Sequence, residues 1–177
     1  MNRHLIWIDL EMSGLDPKEQ VILEIASLVT DGNLDIIAEG PNIAIHYPEE
    51  ALLGMEDWSR THHRESGLLE RVKSSTVSCG QAEEETLKFL SAHCKNGESP
   101  LCGNSVWQDR RFLLWHMPRL QEFLHYRNID VSSIKELVGR WYPSLPPYEK
   151  EKAHLAMKDI VESINELRYY REKIFIP

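Results

Sequence analysis

Apolar and β-branched residues dominate positions 4–11, His-Leu-Ile-Trp-Ile-Asp-Leu-Glu, before acids take over at the end of the run. That composition predicts a β-strand. Gly14 and Asp16-Pro17 then supply a loop, and residues 21–30 form a second strand candidate rich in Ile and Val. Asp31-Gly32 marks a turn into residues 34–38, with a further extended stretch expected at 42–46. Three successive strands joined by short turns imply an antiparallel start to a sheet.

Residues 48–76 are irregular in pattern, with Trp58 and His62-His63 among them, and short helices beside a substrate-facing loop are expected there. Ser78-x-x-Gln81 is a capping box that opens a helix with Leu87, Leu90 and Cys94 on one face, ended by Asn96-Gly97. Residues 100–103 read as a short strand. Ser105-x-x-Gln108 caps a helix that Pro118 stops, and residues 128–131 form another strand. Ser133-x-x-Glu136 opens a helix ending before Pro143. The last helix is expected over 154–173, with Ala156, Ile160, Ile164 and Leu167 along one stripe. The order β-β-β-α-β-α-β-α-α fits an α/β chain, a mixed sheet flanked by helices. No internal repeat or linker divides the chain, so residues 1–177 are expected to form a single domain.

Composition narrows the picture. With 42% hydrophobic and 27% charged residues, 177 residues can bury one core, and no tract suggests disorder. No apolar run approaches the roughly 18–20 residues of a membrane span. The first residues lack the pattern of a signal peptide, and a cytoplasmic location is expected. Cys79, Cys94 and Cys102 have no C-x-x-C spacing, so buried free thiols are expected rather than a disulfide frame or zinc site. Adjacent His62 and His63 seldom converge on one ion. Twenty Lys and Arg stand against 28 Asp and Glu, a net charge of −8. A nucleic-acid partner would then be short, or held through metal ions and a few point contacts.

The chemistry rests on acids. Asp9 and Glu11 are two apart on a strand, so both face one side of the sheet with Leu10 on the other. Paired carboxylates repel unless a cation lies between them. Asp109 and Asp159 fall near helix starts, where the helix dipole alone would accommodate an acid. His154 and Asp159 are five apart, roughly 140° round an ideal helix. For both to reach one site, His154 must come from the lead-in to the last helix.

Their order is more informative than any one of them. A D-x-E on the first strand, an Asp in Asn-Ser-x-x-Gln-Asp, and H-x-x-x-x-D near the end resemble the DEDD exonuclease superfamily, His subclass. The segments IWIDLEMSGLDP, VILEIASLVTD, LDIIAEGP, SPLCGNSVWQDRRFL, YRNIDVSSIKEL and HLAMKDIVESINELRYYRE resemble the bacterial oligoribonuclease family over most of residues 4–173. The likeness is weakest across 143–152 and around Trp58.

That resemblance implies a ribonuclease H-like, five-stranded mixed sheet. It also implies a 3′-to-5′ exoribonuclease that cleaves very short RNA, dinucleotides above all (linear pGpG included), to mononucleotides. Two divalent cations, Mg2+ or Mn2+, would be held by Asp9, Glu11, Asp109 and Asp159, with His154 as general base. Leu15 would wedge against the bases and Trp58 would contact one. Arg127, Ser132, Ser105 and His63 would close the groove on a 5′ phosphate. Tyr126 would be lent across a homodimer interface. Two other functions share the same acids: a DNA-directed 3′ exonuclease, and a silent dinucleotide- or RNA-binding module. The extended likeness and the absence of a basic stripe count against the first, and the complete acid set against the second.

Overall fold

In β1 (Leu5–Met12) side chains alternate between two buried faces. Ile6, Ile8 and Leu10 enter one hydrophobic cluster and Trp7 another, with Leu5 packed against the latter. A strand covered on both sides must be apolar almost throughout, which is why the acids at 9 and 11 stand out. β1 pairs antiparallel with β2 (Ile22–Thr30), which pairs antiparallel with β3 (Ile36–Ala44). On its other side β1 lies parallel to β4 (Pro100–Gly103), itself parallel to β5 (His125–Asp130). The result is a mixed five-stranded sheet, β3-β2-β1-β4-β5. The computed structural model describes residues 4–149 and 155–175.

Seven helices flank the sheet among the described residues. α3 (Cys79–His93), α4 (Val106–His116) and α5 (Pro118–Phe123) cover one face, where Ala82, Leu90, Val106, Phe112 and Leu120 meet Ile6, Ile8 and Ile25. α6 (Val131–Trp141) and α7 (Ala156–Lys173) cover the other, with Val138, Ile160, Ile164 and Tyr170 against Trp7, Ala26 and Leu28. The Trp7 indole N–H, fully enclosed, donates to Thr30 Oγ1 at 3.0 Å, so the largest core side chain leaves no polar atom stranded. A 3₁₀ turn at Glu49–Leu52 and α2 (Leu68–Ser74) close a third cluster around Leu23, and α1 (Asp57–Glu65) packs on α2.

Several local expectations need correction. The two extended stretches expected at 34–38 and 42–46 are one strand. Ala26 pairs with Asn42 and Leu28 with Glu39, so Gly40 and Pro41 both stand opposite Ser27 in a bulge. An edge-strand bulge accommodates a proline that cannot donate to the ladder. The Ser78–Gln81 capping box forms as expected, with both reciprocal bonds. The other two boxes do not. Ser105 sits at the head of α4 in the left-handed region (φ 53°) and makes no side-chain cap. α6 is capped by Asp130, not Ser133. α3 ends at His93, and Gly97 (φ 73°) belongs to a later turn whose N–H donates to the Phe123 carbonyl. Pro118 stops one helix and starts another, α5, in whose first turn no N–H is needed for the helix ladder. Cys94 and Cys102 are buried free thiols, whereas Cys79 is only half-buried.

Candidate active site

The row Leu5, Trp7, Asp9, Glu11 faces α7. Its apolar half packs on α7, and its acidic half meets Asp159 in the first turn of that helix. Ligand oxygens of Asp9, Glu11 and Asp159 lie within 4.8 Å of one another. Burial raises Asp9 well above the ordinary carboxylate range, and Asp109, Glu11, Asp159 and Glu24 push it further. Glu11 is raised to about 8, first by burial, then by Asp159, Glu24 and Asp109, with Arg71 pulling the other way. Such a cluster of hard oxygen donors, costly to ionise without a cation, suits Mg2+ or Mn2+.

Asp109 reaches the same end of the sheet from the opposite layer. β4 runs parallel to β1, so the helix that follows it, α4, starts beside the C-terminal end of β1. The Asp109 side chain is buried and its Oδ1 accepts from the Leu10 N–H at 3.1 Å. Its pKa is raised to about 7 by burial, against the lowering effect of its backbone hydrogen bonds. Asp109 stands outside the tight trio but raises Asp9. His154 lies outside the described residues, and the helix carrying Asp159 begins at Ala156.

Beside the acids, Leu10, Glu11, Met12, Leu15, Trp58 and His63 help line a pocket of about 530 Å³. Leu15 and Trp58 are exposed, at 64% and 62%, so both side chains are available to a ligand. Trp58 stacks on His62 with ring centroids 3.9 Å apart. His63 is buried: its Nε2 donates to the Met12 carbonyl at 2.8 Å, and its Nδ1 lies 3.8 Å from Glu11 Oε2. Ser105 and Ser132 meet on the far side of α4, their hydroxyls 3.2 Å apart, and the Asp130 carboxylate accepts from both backbone N–H groups. Tyr126 is 75% exposed on β5, with the Arg127 guanidinium 5.3 Å from its ring centre. The structure therefore gathers Leu15, Trp58 and His63 next to the acids and Ser105 with Ser132. Tyr126 and Arg127 lie outward on the edge strand.

The RNase_T family model, described as an exonuclease, matches residues 6–167. Among curated proteins, the oligoribonuclease of Shewanella loihica is 57% identical over 173 residues, covering 97% of this chain and 96% of its own. That of Hydrogenovibrio crunogenus is 55% identical over 175 residues, covering 98% and 95%. The chain belongs to the oligoribonuclease family. It is therefore a hydrolase, a 3′-to-5′ exoribonuclease. Exonuclease I from Methylocaldum szegediense superimposes with a TM-score of 0.71 at 14% identity over 97% of this chain. A second exonuclease I structure gives 0.74 at 14% over 96%. The chain spans 41% of the length of each, and at that identity the likeness establishes the ribonuclease H-like fold.

Sequence patterns had not pointed to the residues that support this site. Glu24, fully enclosed, stands directly across the strand pair from Glu11 and is bonded by the Arg71 guanidinium. A single acid inside Ile-Leu-Glu-Ile-Ala was the available signal. Both peptide groups of Leu15 are held: its N–H donates to Glu56 Oε1 at 3.0 Å, and its carbonyl accepts from Gln108 Nε2 at 2.7 Å. Arg111 in turn donates to Gln108 Oε1 at 2.8 Å. The two contacts on Leu15 join residues 41 and 93 positions apart, and no local spacing encodes them.

Proposed function

We propose that this exoribonuclease acts on very short RNA, dinucleotides in particular and linear pGpG among them, releasing mononucleotides in a two-metal reaction. Asp9, Glu11 and Asp159 would hold one divalent cation, Mg2+ or Mn2+, and Asp9 with Asp109 would hold a second. When bound, such ions neutralise the phosphate and acidify water at neutral pH. His154 accepts the proton of the attacking water, a task suited to an imidazole titrating near neutrality. Leu15 and Trp58 hold the bases in the pocket beside Glu11. Ser105, Ser132, Arg127 and His63 bound the 5′-phosphate end, and Tyr126 comes from a second copy of the chain.

The observation that carries the reading is the meeting of three carboxylates from β1 and α7 within 4.8 Å, beside a pocket with an exposed leucine and tryptophan. The net charge of −8 supports a short substrate, since a long phosphate backbone would meet repulsion away from the ions. The relatives' shared name, oligoribonuclease, agrees with a short RNA substrate.

The test is hydrolysis of 5′-phosphorylated RNA of two, seven and twenty nucleotides with Mg2+, alongside a DNA control. Rapid loss of the dinucleotide with slow attack on the longest RNA is expected. Equal rates at every length would remove the closed groove from the reading. Preference for DNA would make the enzyme a DNA exonuclease, and binding without turnover a silent module.

A further inference from the structure

A directed chain of hydrogen bonds runs through Asn104 between the two ends of the proposed site. The Ser105 hydroxyl donates to Ser132 Oγ at 3.2 Å, and Ser132 donates to Asn104 Oδ1 at 3.1 Å. Asn104 Nδ2 donates to Ser163 Oγ at 2.7 Å, and Ser163 donates to the Asp159 carbonyl at 2.7 Å. Every hydrogen points from the exposed Ser105 toward the turn of α7 that bears Asp159. Aligned bonds of this kind reinforce one another.

The amide cannot be reversed without loss. Nδ2 also approaches Glu166 Oε2 at 3.4 Å, and a flipped Oδ1 would face that buried carboxylate and a serine whose proton is already committed. Glu166 is itself fixed by the Tyr170 hydroxyl at 2.9 Å. Asn104 thus joins three elements through one side chain: the exit of β4, the head of α6 and the third turn of α7.

The geometry points to Asn104 as a positioning residue that couples occupation of the Ser105–Ser132 hydroxyls to the placement of Asp159. In this role it acts through Asp159, not on RNA or metal. A phosphate accepting from Ser105 or Ser132 draws on the same protons that run through Asn104, so the 5′ end of a dinucleotide is sensed at the metal-binding turn. This assignment rests on the two-metal, short-RNA reading above and explains how a phosphate contact can affect turnover as well as binding.

The experiment is a kinetic cycle on the full chain with a 5′-phosphorylated dinucleotide, joined to Mn2+ titration calorimetry without RNA. Asn104→Ala should lower kcat about tenfold through misplacement of Asp159, with a smaller change in KM. It should also weaken Mn2+ binding. Ser132→Ala and Ser163→Ala do not share a bond, yet their effects on kcat should be non-additive with Asn104 present and additive in Asn104→Ala. Additive effects in both backgrounds would overturn the coupling. If Asn104→Ala does not fold, Ser163→Ala, which suits a helix interior, decides alone: it should lower kcat and Mn2+ affinity, and leaving both unchanged overturns the proposal. A wild-type protein that hydrolyses no dinucleotide or binds no Mn2+ refutes the underlying reading, and the coupling with it.

Discussion

At Glu11 the carboxyl group meets Asp9 on its own strand, Glu24 across the strand pair and Asp159 from α7, with Arg71 as a counterweight. Its pKa rises from 4.5 to about 8, and that of Asp109 from 3.8 to about 7. Between the ordinary and raised values the folded chain keeps protons that the unfolded chain has released. Stability therefore falls as pH rises through that window. For metal-stripped protein we expect Tm to drop by about 5 °C or more from pH 5 to pH 8. Divalent cations bind the ionised acids, so Mn2+ should restore Tm more at pH 8 than at pH 5, with proton release in calorimetry. Parallel Tm–pH curves with and without Mn2+ would contradict a metal role for these acids. Asp159→Ala should abolish turnover, and retained activity would remove that residue from the site. Arg71 and Glu24 call for a different comparison. Arg71→Ala leaves an enclosed carboxylate without its guanidinium, whereas pairing it with Glu24→Gln removes the charge as well. In urea melts the double variant should be more stable than the single one; the reverse order would mean the ion pair does not shield Glu24.

The loop between β1 and β2 is held as a unit, because Glu56 from the segment before α1 and Gln108 from α4 bind the two peptide groups of Leu15. An exposed leucine on a free loop would lose conformational entropy on meeting a base; a clamped one has already lost it. Gln108→Ala should therefore raise KM for a dinucleotide about tenfold with little change in kcat, and Leu15→Ala should do the same. Adding Leu15→Ala to Gln108→Ala should then cost little more. Full additivity in KM would show that Gln108 acts elsewhere. Such clamps mark the limit of what local pattern reveals. A run of apolar and β-branched residues located β1, the Ser78–Gln81 box located the start of α3, and the stripe 156, 160, 164, 167 located the buried face of α7. Two further capping boxes failed for different reasons: the Ser105 hydroxyl bonds Ser132 across the fold, and Asp130 at the end of β5 caps α6 before Ser133 is reached. The gap between the stretches expected at 34–38 and 42–46 is filled by a bulge in which Gly40 and Pro41 stand opposite Ser27. The pairing of Asp9 and Glu11 followed from period 2, but Asp159 and Asp109 reach them from opposite layers of the sheet. That depends on strand order, which no residue spacing specifies.

At the scale of the whole molecule, the outer side of α4 carries Trp107, Leu114 and Trp115, all more than half exposed, with Arg111 5.7 Å from the Trp107 ring. Positions 107, 111, 114 and 115 share one helical face. That face continues onto β5, because Arg110 binds the carbonyls of His125 and Arg127 on either side of Tyr126. A contiguous apolar surface of this kind on a chain of charge −8 suits pairing with a second copy. Leu114→Glu should then convert a dimer to a monomer in light scattering without changing the circular dichroism spectrum. An unchanged mass would place the interface elsewhere. The same proposal makes a stronger demand of Tyr126. If it completes the partner's site, protein carrying Tyr126→Ala and protein carrying Asp159→Ala are each defective, but for different reasons. In a mixed dimer, the first chain keeps its acids and receives an intact tyrosine from the second. Random exchange makes about half the dimers mixed, each with one complete site, so mixing should restore about a quarter of wild-type sites. No recovery, with exchange verified by mass, would mean that Tyr126 serves its own chain or none.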